Sequence, residues 1–182
     1  MAERQIIKVD NTDGIWDGLL PDFSQGTVVN DYHITLQVGS HFIDIDISSS
    51  PGGNIEGGYE TTSIKAVIDA VTDFHFVLYP QDFLNRIGKL FGLQDEVLGY
   101  PEFDHRIIVK TDNVARLKRL LAPPERREAF QHLSGFSFKM GNNNDDEDRY
   151  LDLSIQRAIT DLNELKRLLS MFYNVLIALE KS

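Results

Sequence analysis

The chain of 182 residues contains no cysteine. That excludes a disulfide scaffold, a thiol nucleophile, thiolate zinc sites and cysteine-ligated iron–sulfur clusters, and it fits a reducing compartment. At this length a single domain buries about 70% of its unfolded surface, so neither a staple nor a metal is needed to hold a fold. Long apolar runs are also missing. The N-terminal segment Met1–Asp10 has no apolar core of signal-peptide length. No stretch approaches the roughly 18 residues of a membrane span. A soluble, cytoplasmic protein without membrane insertion is therefore expected. Positive charge is scarce too, with 18 Lys and Arg against 28 Asp and Glu and a net charge of −10. Such a balance disfavours nucleic acid and anionic membrane surfaces as partners.

The charge that is present is uneven. Residues 1–73 hold 3 basic and 12 acidic side chains, whereas residues 74–133 hold 9 basic and 8 acidic ones. Arg116, Lys118, Arg119, Arg126 and Arg127 form a local basic cluster. Its ordinary reading is a solvated helix face. The sharper reading is a contact for an acidic protein partner, or for the acidic first third of another copy.

Hydrophobic periodicity points to an α+β fold, a mainly antiparallel sheet packed against a long C-terminal amphipathic helix, in one domain spanning 1–182. Tyr32, Ile34, Leu36 and Val38 alternate with polar residues, as do Ile43, Ile45 and Ile47 beyond Gly39-Ser40. Two alternating runs joined by a two-residue Gly-Ser link predict a hairpin pairing Leu36 with Ile43, Ile34 with Ile45 and His33 with Asp46. The periodicity over 61–71 suits helix or strand, and its leading threonines and β-rich surroundings favour strand. Strands are further predicted at 74–79, at about 103–110, and as a second hairpin at 136–140 and 150–155. Helices are predicted at about 82–91, closed by Gly92, and at 113–133, begun by Asp112 and interrupted by Pro123-Pro124. A last helix starts near Asp161, whose spacing to Glu164 is that of a capping box. It carries an apolar stripe of Leu162, Leu165, Leu168, Leu169, Phe172, Leu176 and Leu179. Leu36 and Phe172 should share one core. The segments around 49–58 and 142–148, poor in apolar residues, should be the most mobile interior parts.

The stretch from Phe74 to Leu133 carries the densest local pattern. Tyr79-Pro80 ends an extended run, Gly92-Leu93-Gln94-Asp95 closes a helix, Gly99-Tyr100-Pro101-Glu102-Phe103-Asp104 precedes a strand, and Leu120-Leu121-Ala122-Pro123 ends another helix. In these features the chain resembles an uncharacterised group of bacterial α+β domains, over about a third of its length. The resemblance implies the fold class and carries no activity, cofactor or site residue.

Candidate chemistry is sparse. His33 opposite Asp46 is the best dyad geometry, since a carboxylate can orient an imidazole, yet cross-strand pairs of this kind are common on a polar sheet face. Asp104-His105-Arg106 on a strand would send Asp104 and His105 to opposite faces, leaving Phe103 as a core plug and Asp104 to bind backbone. Asn142, Asn144, Asp146 and Asp148 begin like a calcium loop, but Glu147 stands where glycine belongs and Leu153 where the bidentate glutamate belongs. The glycine-rich stretch 51–60 lacks the lysine and spacing of a phosphate loop. No cofactor or metal is implied. The expected function is a non-catalytic interaction or regulatory domain that binds a protein partner or itself, with Arg116, Arg119, Arg126 and Arg127 as contact residues. The alternatives are a hydrolase-like enzyme using His33 and Asp46, and a small-ligand binder with an apolar cavity between the sheet and the C-terminal helix.

Overall fold

The computed structural model describes residues 5–9, 23, 31–50, 58–68, 73–83, 95–142 and 149–181. Among them, nine strands form one sheet: β1 (Gln5–Val9), β2 (Asp31–Val38), β3 (His41–Ser50), β4 (Tyr59–Val67), β5 (Phe76–Pro80), β6 (Asp95–Glu96), β7 (Ile107–Thr111), β8 (Phe136–Asn142) and β9 (Arg149–Ile155). The helices are α1 (Pro101–Asp104), α2 (Val114–Leu120), α3 (Pro124–Gln131) and α4 (Leu162–Glu180), with a 3-10 turn at Gln81–Phe83. The strand order is β1-β2-β3-β4-β9-β8-β5-β7-β6. Every pairing is antiparallel except β1 with β2. This is the expected α+β architecture, an open and mostly antiparallel sheet with a long C-terminal helix.

The β2–β3 hairpin has the register that its sequence predicts, with His33 opposite Asp46 and Leu36 opposite Ile43. Gly39 takes the left-handed conformation that a two-residue turn requires, at φ 61°. The ambiguous segment 61–71 is strand over Tyr59–Val67, and the second hairpin is β8–β9. Strand β3 runs on to Ser50 and β4 begins at Tyr59. Residues 51–57, the tip 143–148 and most of the helix expected at 82–91 lie outside the described residues.

One sheet face is continuously apolar. Ile34, Leu36, Ile43, Ile45, Ile64, Leu151, Leu153, Phe136, Phe138, Phe76, Leu78 and Val109 are buried in one cluster with Leu165, Leu168, Leu169, Phe172, Val175 and Leu176 of α4. Leu36 and Phe172 share that core, as expected. A run of ring contacts, Phe76–Phe138 at 5.6 Å, Phe130–Phe138 at 5.2 Å and Phe138–Phe172 at 6.2 Å, joins sheet, α3 and α4. Met171 and Val175 widen the stripe beyond the leucines and phenylalanine expected.

Three local expectations are corrected. Asp112 does not cap α2. Asn113 does, its Oδ1 accepting from Arg116 N at 2.9 Å, while both Asp112 oxygens accept from the His75 amide. The strand expected at about 103–110 begins only at Ile107, because Pro101–Asp104 folds into a helical turn. The Asp161–Glu164 box is half formed. Asp161 accepts from Glu164 N at 2.7 Å, but the Glu164 carboxylate turns to the Arg157 guanidinium, a bidentate ion pair that outcompetes a neutral amide.

Candidate functional site

His33 Nδ1 lies 2.6 Å from Asp46 Oδ1, on the sheet face opposite the core, with the His33 side chain 45% exposed. Two more pairs of this type occur, His75 with Asp112 at 2.9 Å and His41 with Glu180 at 2.6 Å. The residue facing Asp46 on its other side is Ser63 of β4. The order across the strands is therefore imidazole, carboxylate, hydroxyl. Acyl transfer needs the imidazole between the other two, where it can take the hydroxyl proton. His33 and Asp46 also line none of the three clefts described below.

The Asp104-His105-Arg106 triplet is not on a strand. Asp104 ends α1 and its carboxylate accepts from three consecutive amides, Leu98 N at 3.0 Å, Gly99 N at 2.7 Å and Tyr100 N at 2.7 Å. Gly99 holds φ 83°, a left-handed turn that brings these amides onto one carboxylate. Phe103 is buried, as expected of a core plug. Asp104 thus binds backbone, though on a helical turn rather than at a strand end.

The second sheet face is read by register as transverse rows. One row runs Thr35, Asp44, Lys65, Asp152, Lys139 across β2, β3, β4, β9 and β8. Its charges alternate in sign. The next row toward the β2–β3 turn holds Phe42, then Val67, Tyr150 and Gly141. Phe42 and Val67 are 53% and 46% exposed. A cleft of about 150 Å³ between the two rows is lined by Phe42, Asp44, Lys65, Val67 and Tyr150, with Lys65 Nζ 3.6 Å above the Tyr150 ring. Asp152 is flanked by Lys65 and paired to Lys139 at 3.6 Å. Burial nevertheless pushes its carboxyl above the usual range, against the pull of both lysines. Toward β5 the same face is closed, because Val77 and Tyr79 are buried. Burial likewise raises the Tyr79 hydroxyl above its ordinary value.

The arginines divide into two kinds. α2 ends at Leu120 and, after a link of three residues, α3 starts at Pro124 with Pro123 as its N-cap. This tight link points Arg126 and Arg127 back at the carbonyls that α2 leaves unpaired. Arg126 Nη1 donates to Leu120 O at 2.6 Å, and Arg127 Nη1 to Ala122 O at 2.6 Å and to Leu121 O. These bonds complete a helix end whose carbonyls and dipole both call for positive charge. Arg127 also stacks on Tyr100, 3.8 Å from the ring centroid. Arg116 lies over the Phe74 ring, and Arg119 is exposed on the outer side of α2.

Arg116, Arg119 and Arg126 line one groove of about 400 Å³ between α2 and the last turn of α4, completed by Leu120, Ala178 and Leu179. Among the described residues, no carboxylate stands in that lining. Arg126 Nε is buried within the protein without an acceptor among the described residues. Arg127 is absent from the lining, so the structure brings together three of the four arginines singled out from sequence. A second groove of about 650 Å³, between α3 and α4, is lined by both acids and bases, among them Glu125, Glu128, Lys166 and Arg167. None of the three clefts lies between the sheet and α4, where the small-ligand reading places its cavity. Sequence reasoning missed the alternating charge row. Its signal is the Asp44, Lys65, Lys139 and Asp152 set at mid-strand, but the row depends on β4 pairing with β9.

Among the described residues no helix is long and apolar enough to cross a membrane. In comparisons with known proteins, no family, curated protein or solved structure matches this chain.

Proposed function

We propose that the chain is a non-catalytic interaction domain that engages an acidic protein partner through the arginine groove between α2 and α4. The observation that supports this is the convergence of Arg116, Arg119 and Arg126 on an apolar floor, with no carboxylate among the described lining residues, in a chain of net charge −10. Arg119 meets the partner first, because it is exposed. Arg126 contributes from a position already held by Leu120 O. Arg127 supports the groove by finishing α2.

A separate partner fits better than self-association at this groove. The acidic first third and the groove are different surfaces, so joining them between copies is heterologous and extends into open chains unless it closes. The test uses a labelled peptide rich in Asp and Glu, measured by fluorescence anisotropy at low salt. Arg116→Glu with Arg119→Glu should weaken binding at least about tenfold, equivalent to about 1.4 kcal/mol. Affinity should also fall as salt rises. No binding by the native chain, or equal binding by the double variant in its folded state, would sink the reading.

A further inference from the structure

We infer that the second sheet face is a two-fold interface with another copy of this chain, its axis parallel to the strands and passing between β4 and β9. This surface is separate from the arginine groove, and the inference does not depend on the function proposed for that groove.

The argument starts from the charge row. In the order β3, β4, β9, β8 it reads Asp44, Lys65, Asp152, Lys139. Rotation by 180° about an axis parallel to the strands keeps height along them and reverses strand order. Set between β4 and β9, it lays β9 of the second copy over β4 and β8 of the second copy over β3. Lys65 then faces Asp152 of the other copy, and Asp44 faces its Lys139. Every charge meets the opposite sign, because an alternating row of even length is antisymmetric about its centre. An axis lying along the row instead lays each charge over its own kind, which disfavours that arrangement.

The neighbouring row obeys the same operation independently. Phe42 is over half exposed, which is unusual for a phenylalanine on a sheet. Under this axis it lies over Gly141 of the other copy, the one position in its row with no side chain. Val67, also exposed, lies over Tyr150 of the other copy. Large meets small, and apolar meets aromatic, in a face-to-face sheet packing of about 10 Å separation. The ion pairs fix register and orientation, since their desolvation offsets much of their attraction. The affinity comes from Phe42, Val67 and Tyr150. Exclusion of Val77 and Tyr79 from the surface confines the contact to the β2–β8 side.

The experiment is sedimentation velocity on the full chain across the micromolar range. A concentration-dependent dimer is expected. Asp44→Lys alone and Lys139→Asp alone should each weaken it at least about tenfold, because each places two like-charged pairs across the axis. An equimolar mixture of the two variants should associate again, since both cross-axis pairs then regain opposite signs. A defect confined to one chain cannot be rescued by mixing. Phe42→Ser, at an exposed position that leaves the core intact, should weaken the dimer by a similar factor. A native chain that stays monomeric overturns the inference. So does a dimer indifferent to Phe42→Ser, or one dissociated by the single reversals and not restored by mixing the folded variants.

Discussion

Asp104 shows how much one side chain can organise. Its two oxygens take the amides of Leu98, Gly99 and Tyr100, at a bend with no strand to pair them. Replacing it by Ala removes three charge-assisted bonds at once. Asp104→Ala should therefore destabilise the fold by about 2–3 kcal/mol in urea unfolding, with Asp104→Asn costing less because one acceptor oxygen remains. The role of Asp104 was legible from its place after Pro101 and Phe103. The helical turn that carries it was not, because alternation from Phe103 onward reads as strand until the three amide bonds are seen.

Asp152 carries a different charge economy. Burial raises its carboxyl above the ordinary value despite Lys139 and Lys65. The folded state therefore binds the Asp152 proton more tightly than the unfolded chain does. Stability from this group is highest at pH below its unfolded value and falls as pH rises through the window between that value and the raised one. Asp152→Asn keeps the shape and removes the charge. It should match or exceed the native stability at neutral pH, and the difference should vanish as pH falls below the ordinary carboxylate range. Thermal midpoints of the two chains across pH 3–7 check this, and a variant less stable at neutral pH would contradict it.

At the scale of elements, α4 was the most legible part. Its Asp161 cap and its apolar period are local, and local signals survive any topology. Phe172 lies at 0% exposure against Phe138 of β8. Phe172→Ala should cost about 3–5 kcal/mol by leaving a cavity between helix and sheet, read as a lowered denaturation midpoint. The β2–β3 hairpin was equally legible, because a two-residue turn fixes every pairing in it. Strand β1 was not, since its parallel partner lies beyond a long intervening segment. The use of Arg126 and Arg127 as caps was hidden for a related reason. It requires the α2–α3 link to bend so that one helix start faces the preceding helix end, which a run of basic residues does not reveal.

Across the whole molecule, the alternation of faces was readable strand by strand, but the order of strands was not. The β4–β9 pairing joins two segments from opposite halves of the chain, and nothing in either strand names the other. Both surfaces argued to be functional depend on such long-range placement. The arginine groove needs α4 to return beside α2, and the alternating charge row exists only because β9 lies next to β4.

That same seam has a consequence for synthesis. β2, β3 and β4 form a meander complete by Val67, but the far edge of β4 finds its partner only when Arg149–Ile155 has been made. Thr62 closes the join as well, donating to Arg157 O at 2.9 Å and accepting from Ile159 N at 2.9 Å. Until the C-terminal third leaves the ribosome, a nascent chain carries an open apolar meander with an unpaired edge, the kind of surface that recruits chaperones or aggregates. Closing a seam between distant segments is also slow, because the intervening chain must be ordered before the contacts repay it. Truncation before β9 therefore leaves an adhesive fragment.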